Sequence, residues 1–216
     1  MIKAIICDHD GVIADTQKLH AQIESDIFAE HGITIAPGEI TRRFAGVSGK
    51  DMFPQVFSEA GKTPPDLEKI SKVKWDRMMQ REAEIEAIDG SCEFIRYVNG
   101  IGYSLAVASA SRLEFLELSL QKLGIRDRFY AIASSREVPR GKPAPDVFLL
   151  AASRLGIEPK HCVVIEDGIS GMIGAREAGM QVIALVEDMT REYPADLIVP
   201  SFWEIQQENL FCMFAE

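Results

Sequence analysis

The sequence predicts an α/β protein: a doubly wound parallel sheet interrupted by an inserted α-helical segment. Three observations lead there. A continuous apolar run, Lys3 to Asp8, opens the chain, and unbroken apolar runs mark strands buried on both faces of a parallel sheet. From Gly90 onward, helix-like segments alternate with strand-like ones near 104–109, 130–134, 162–166, 181–186 and 196–199, the pattern of a sheet with crossover helices. Residues 16–86, by contrast, carry helical periodicity and no convincing strand.

Taken in order, the first run stops at Asp8, and Gly11 lets the chain turn sharply. From Thr16 to about His31, Leu19, Ile23, Ile27 and Phe28 recur at helical spacing, and Gly32 is placed to end that helix. The loop Arg43 to Asp51 and the break Pro64-Pro65 divide the remainder of this stretch, which reads as an inserted cap domain over 16–86 within a core of 1–15 and 87–216. The second strand ends at Ser109, after which Ser111 and Glu114 form the S-x-x-E pattern of a capping box opening a helix from Arg112 to Leu123. Phe202 to Phe214 reads as a helix covering the sheet.

The 216 residues suit one large α/β core plus a small insertion. Hydrophobic residues make up 47% and charged residues 26%, with no biased tract or internal repeat. A formal net charge of −10 disfavours nucleic acid as a partner. No run of about 18 apolar residues indicates a membrane span, and the N-terminal run is too short for a signal peptide. A cytoplasmic location is therefore expected. Cys7, Cys92, Cys162 and Cys212 lack metal-ligand spacing and read as buried, reduced thiols.

Four polar motifs stand where apolar runs end: Asp8-His9-Asp10-Gly11, Ser109-Ala110-Ser111, Gly141-Lys142-Pro143 with Asp146, and Glu166-Asp167-Gly168. In an open α/β sheet such strand ends can meet in one crevice. Asp8 and Asp10, two apart, place both carboxylates on one side of an extended strand end. One acid can then attack while the other handles protons, a role that asks for a raised pKa at Asp10 in part of the cycle. His9 falls on the other side, where packing or a backbone-directed hydrogen bond is expected. Pro143 biases Lys142 toward extended backbone, and a fixed ammonium there would neutralise the charge of Asp8. Glu166 and Asp167, being adjacent, should point to opposite sides and do different work. Close carboxylates repel one another, a physical reason to expect a cation among them.

The ordered set DxDG, Ser, Lys-Pro, Glu-Asp resembles the haloacid dehalogenase-like hydrolases, and within them the β-phosphoglucomutase-like group with a small helical cap; the resemblance covers nearly the whole chain. It implies a Rossmann-like core and a phosphohydrolase with Asp8 as nucleophile forming an aspartyl-phosphate, Asp10 as acid and base, and Ser109 with the Ala110 amide on the phosphoryl group. It implies Mg²⁺ held by Asp8, the Asp10 main-chain carbonyl and Asp167, with Glu166 holding a metal-bound water or orienting Lys142. Ser111 reads equally as cap or ligand, and Arg112 either meets a distal phosphate or faces solvent. In the cap, His20 and the loop containing Gly46 match the group, but Gly49 stands where its mutases place a phosphate-gripping arginine. Lys50, Arg42 or Arg43 could substitute, though a lysine lacks the bidentate fork. The cap lysine is Lys72 or Lys74.

The expected partner is thus a small phosphorylated metabolite, hydrolysed by a monomer or weak homo-oligomer. A hexose-phosphate mutase remains the alternative, since a mutase needs two phosphate grips and the second is missing. A phospho-accepting signalling domain also uses an acceptor Asp, a hydroxyl and a lysine, but Asp10 and the inserted segment count against it. Dehalogenation is disfavoured because the metal-binding acids suit phosphate.

Overall fold

The computed structural model describes residues 1–44 and 47–205. Six parallel strands form one sheet among the described residues: β1 (Ala4–Cys7), β2 (Ser104–Ser109), β3 (Ala131–Ser134), β4 (Cys162–Glu166), β5 (Gln181–Leu185) and β6 (Leu197–Val199). Their order across the sheet is β3-β2-β1-β4-β5-β6. Four helices, α1 (Gln17–Glu30), α2 (Pro37–Phe44), α3 (Gly49–Glu59) and α4 (Leu67–Gln80), follow β1, and α5 (Ser91–Gly100), α6 (Leu113–Lys122), α7 (Asp146–Leu155) and α8 (Ile169–Glu177) alternate with the later strands. Every expected strand is present within a residue or two of its expected limits.

Side-chain alternation divides the sheet into two unlike faces. Ile5, Leu105, Val107, Val163, Ile165 and Ile183 point to one side, where they pack with Ile95 and Val98 of α5 and Leu116 and Leu120 of α6. The other side presents Ala4, Ala106, Ala108, Ala133 and Ala184 to Phe148 and Ala151 of α7 and Met172 and Ala175 of α8. Small residues there let α7 and α8 sit low against the sheet.

The helical stretch α1 to α4 has its own apolar centre, built from Ile23, Ile27, Phe28, Phe53, Phe57, Trp75 and Met78 among others. The two crossings of the chain into and out of it lie side by side: Ala14 bridges to Ala87, Asp15 N–H donates to Glu86 O at 2.9 Å, and Ile88 N–H donates to Ile13 O at 3.0 Å. Phe115 of α6, fully buried, ties this stretch to the sheet region, with its ring 5.5 Å from that of Trp75 and 5.9 Å from His20.

Two expectations need adjustment. α6 begins at Leu113 with Arg112 at its N-cap position and no side-chain cap, so Ser111-x-x-Glu114 is not a capping box; the Ser111 hydroxyl is engaged elsewhere, as described below. At the C-terminal end, a 3-10 turn spans Phe202–Glu204, with Phe202 packed on Phe94; the rest of the expected helix, and Cys212, lie outside the described residues. Cys7, Cys92 and Cys162 are free and buried as expected, and burial raises Cys7 to about 12, with the Asp8 charge adding to it. No helix among the described residues is long and apolar enough to cross a membrane.

Phe115→Ala is expected to cost about 3–5 kcal/mol in urea denaturation; a loss under about 1 kcal/mol would mean that the ring does not tie the helical stretch to the sheet.

Candidate active site

Asp8 directly follows β1, Ser109 ends β2, and Glu166 ends β4 with Asp167 next. Because β1 lies between β2 and β4, these ends are neighbours, and Asp8 N–H donates to Ile165 O at 2.9 Å. Strands β2 and β3 lie to one side of β1 and β4 to β6 to the other, so the strand order reverses here, the position at which ligands bind in open α/β sheets. Lys142 enters from the loop before α7.

Lys142 Nζ donates to Asp8 Oδ1 and to Glu166 Oε2, each at 2.7 Å. All three side chains are buried. Glu166 Oε1 accepts from Gly168 N–H at 3.1 Å, and a Cβ at Gly171 would collide with the Glu166 carboxylate, so that glycine is what admits it. Oxygens of Asp8, Glu166 and Asp167 come within 4.8 Å of one another. Adjacent acids alternate sides along an extended strand, but at the bend that follows β4 the oxygens of Glu166 and Asp167 reach the same cluster. Gln17 of α1 donates to Asp167 Oδ2.

The cluster's electrostatics are unbalanced. Burial pushes Asp8 up to about 7, with the Glu166 charge adding to it and Lys142 opposing. Asp167 is raised well above the ordinary carboxylate range by burial and by Glu166 and Asp8. Burial would lower the Lys142 ammonium, yet Asp8 and Glu166 hold it above its ordinary value. Three carboxylates against one ammonium leave a formal charge of −2. An all-oxygen donor set with that deficit fits a hard divalent cation such as Mg²⁺.

The Asp10 carboxylate is not in that cluster. Its Oδ1 accepts from Thr16 Oγ1 at 2.5 Å and lies 3.1 Å from His9 Nδ1 and 3.2 Å from His20 Nε2. Its Oδ2 accepts from Ser111 Oγ at 2.6 Å and Ser109 Oγ at 3.3 Å. Burial works to raise this acid, but the His9 and His20 imidazoles and their hydrogen bonds prevail and hold it well below the usual carboxylate range. The raised Asp10 foreseen for acid catalysis is therefore not the state found here. His9 packs edge-on to Phe115 as expected, at 5.7 Å, but its hydrogen bonds go to Asp10 and, at 2.8 Å, to Ser119 Oγ rather than to backbone.

A cavity of about 840 Å³ opens above these strand ends. Asp8, Asp10, Ser109, Ala110, Ser111 and Lys142 line it from the sheet side. His20, Lys50 and Lys74 line it from the helical stretch, and Arg112 from the start of α6. Gly46 lies outside the described residues. Arg43 is committed to Glu39 and Glu59 on the surface. Lys72 is exposed with Asp76, whereas Lys74 is buried against Glu24 at 2.5 Å, so of the two candidate cap lysines only Lys74 reaches the cavity.

Several participants were not singled out from sequence. Thr16 and Gln17, at the start of α1, reach Asp10 and Asp167; their sequence signal was that of an ordinary helix start. Glu24, Ser71 and Arg136 also line the cavity, and as isolated polar residues in helices or turns they carry no motif.

Residues 5–185 match the family of haloacid dehalogenase-like hydrolases. A relative named Hexitol phosphatase B, from Escherichia coli O157:H7, is 31% identical over 215 residues, 97% of this chain and 96% of its own. The crystal structure of β-phosphoglucomutase from Clostridium difficile superposes with a TM-score of 0.89 at 24% identity, covering 100% of this chain and 98% of that one, a likeness of fold. CbbY from Rhodobacter sphaeroides, solved in complex with phosphate, gives a TM-score of 0.83 at 29% identity over 95% and 96%. With its strand order, its four strand-end motifs and this match over most of its length, the chain belongs to the haloacid dehalogenase-like hydrolases.

Proposed function

We propose that this protein hydrolyses phosphate monoesters of small metabolites, sugar phosphates above all, in an Mg²⁺-dependent reaction through an aspartyl-phosphate on Asp8. The observation that carries this reading is the buried Lys142 ammonium bridging Asp8 and Glu166 beneath a cavity lined by hydroxyls and guanidinium groups. The cavity's volume, about 840 Å³, is that of a small-molecule site. The phosphatase name of the Escherichia coli relative supports the same class.

Asp8 supplies the nucleophilic oxygen. As its bond to phosphorus forms, the ester oxygen leaves, and Lys142 offsets charge on the attacking carboxylate and the transferring group. Ser109 Oγ and the Ala110 amide hold the phosphoryl oxygens, while Glu166 fixes Lys142 in place. Asp10 gives a proton to the leaving oxygen and then takes one from the water that cleaves the aspartyl-phosphate. Because Asp10 is held ionised here, its acid role requires that substrate draw away the contact of His20, which rides on α1. Bound by Asp8, Asp167 and the Asp10 main-chain carbonyl, Mg²⁺ would neutralise the carboxylates and polarise the phosphoryl oxygens. The 16–86 stretch acts as a cap turning on the paired crossings at Ala14 and Ala87. A mutase would need a second phosphate grip at position 49; Gly49 begins α3 there, and the phosphatase is preferred.

Asp8→Asn is expected to lower kcat for phosphate release by about 10⁴-fold or more; turnover above about a tenth of wild type would remove Asp8 as nucleophile. For Asp10→Asn, turnover slows about 10²- to 10⁴-fold and phosphoenzyme accumulates, visible as a phosphoryl mass increase on acid-quenched protein; an unchanged rate would end its acid–base role. EDTA is expected to abolish activity and Mg²⁺ to restore it, so full activity in EDTA excludes the metal.

A further inference from the structure

The first turn of α1 attends to two acids at once. Thr16 donates to the Asp10 carboxylate, and the next residue, Gln17, donates through Nε2 to Asp167 Oδ2. An ionised carboxylate can only accept, so the amide presents its NH2 end to it. Among the described residues no other side chain donates to Asp167, whereas Asp8 and Glu166 share the Lys142 ammonium and Glu166 also takes Gly168 N–H. Gln17 belongs to the helical stretch, and Asp167 lies in the sheet region, 150 residues on.

The meeting is prepared by the turn that leads into α1. Ala14 N–H donates to His9 O and Gly11 N–H to Ala14 O, each at 2.9 Å, and Thr16 N–H donates to Ala14 O at 3.0 Å. These bonds hold the chain between Asp10 and α1, so the base of Gln17 is placed before any ligand arrives and little ordering is left for binding to impose. Gly11 has a φ of +87°, and a Cβ there would collide with both the Asp167 carboxylate and Gln17 Nε2. The glycine is thus needed twice, for its backbone conformation and for the hydrogen bond that passes where a side chain would stand.

That the donor is an amide has a physical meaning. Asp8, Glu166 and Asp167 bring oxygens within 4.8 Å of one another, and Lys142 offsets one of their three charges. An ammonium or guanidinium on Asp167 would cut into the deficit that attracts a divalent cation. A carboxamide orients the carboxylate and leaves the deficit in place. Each carboxylate oxygen has two lone-pair sites, so accepting from Gln17 does not exhaust the capacity of Asp167 to ligate. Removing a partner that fixes a ligating carboxylate in this way commonly weakens metal binding by about 10- to 100-fold.

We propose that Gln17 is a positioning residue for the divalent cation: its amide fixes the Asp167 carboxylate, so that the first turn of the helical stretch sets the affinity of a site whose proposed ligands all belong to the sheet region. Gln17 acts through Asp167 and is not itself a ligand. This role rests on the Mg²⁺ reading given above, and it deepens that reading.

The test is calorimetric titration of Mg²⁺, with Mn²⁺ as a second probe, into substrate-free protein. Wild type is compared with Gln17→Met, which keeps the length of the side chain and removes the donor. Gln17→Met is expected to weaken Mg²⁺ binding by about tenfold or more, while its circular dichroism in EDTA matches wild type. Gln17→Lys, which restores a donor but adds a positive charge, is expected to bind Mg²⁺ no better than Gln17→Met. Hydrolysis of p-nitrophenyl phosphate gives a further readout: the Mg²⁺ concentration for half-maximal activity of Gln17→Met rises by the same factor, and saturating Mg²⁺ restores kcat, which a general structural defect would not allow. Unchanged or tighter Mg²⁺ binding by Gln17→Met overturns the proposal, as does wild-type affinity in Gln17→Lys or a kcat that excess Mg²⁺ leaves low. If wild type binds neither cation, the Mg²⁺ reading falls and this role with it. If wild type binds the cation but hydrolyses no ester, the phosphatase reading fails alone, and the calorimetric comparison still decides the role of Gln17.

Discussion

Lys142 between Asp8 and Glu166 is the contact on which the geometry of the site depends, because nothing else among the described residues compensates two buried carboxylates at the sheet's carboxyl edge. Removing one member of such a buried pair typically costs about 3–5 kcal/mol, since it strands the other charge. The neighbouring helix serves both ends of the bridge. Gly171 of α8 makes room for the Glu166 carboxylate, and at Gly174 a Cβ would come within 2.9 Å of Pro143 O and 3.0 Å of Ala144 O. One helix thus places the acid and supports the loop that delivers the lysine. The same bridge leaves negative charge in excess around Asp167.

The two faces of the sheet divide these tasks. Alanines on the α7 and α8 side keep those helices close to the strands, as a lysine reaching Asp8 from the loop before α7 requires. Branched residues on the opposite side fill a thicker layer with α5 and α6, and from that layer Phe115 and Ser119 meet His9. Asp8 is therefore held from one face and Asp10 from the other. Their opposite pKa directions follow: Asp8 sits among acids, and Asp10 among imidazoles and hydroxyls.

Much of this was legible in the sequence, for a physical reason. A buried parallel strand is an apolar run, and polar residues at its end stand out against it, so Asp8, Ser109 and Glu166 announced themselves and the strand limits with them. What could not be read was side-chain direction beyond a strand's end. Glu166 and Asp167 alternate only while the chain stays extended, and the bend directly after β4 ends that rule. Ser111 and Glu114 satisfy the pattern of a capping box, but the Asp10 carboxylate competes for the hydroxyl and wins. Arg136 and Ser71 meet only because β2 and β3 are neighbours beneath α4, a long-range fact that no local motif carries.

The paired crossings at Ala14 and Ala87 have a bearing on how such a protein can change. Asp15 and Glu86 are joined by a single hydrogen bond, so the chain leaves the sheet region and returns to it at almost the same point. Some seventy residues are thereby attached as a loop is attached, and replacing them need alter neither strand order nor the strand-end acids. The stretch between those crossings can therefore vary in length and packing apart from Thr16, Gln17 and His20, which reach Asp10 and Asp167 at the strand ends.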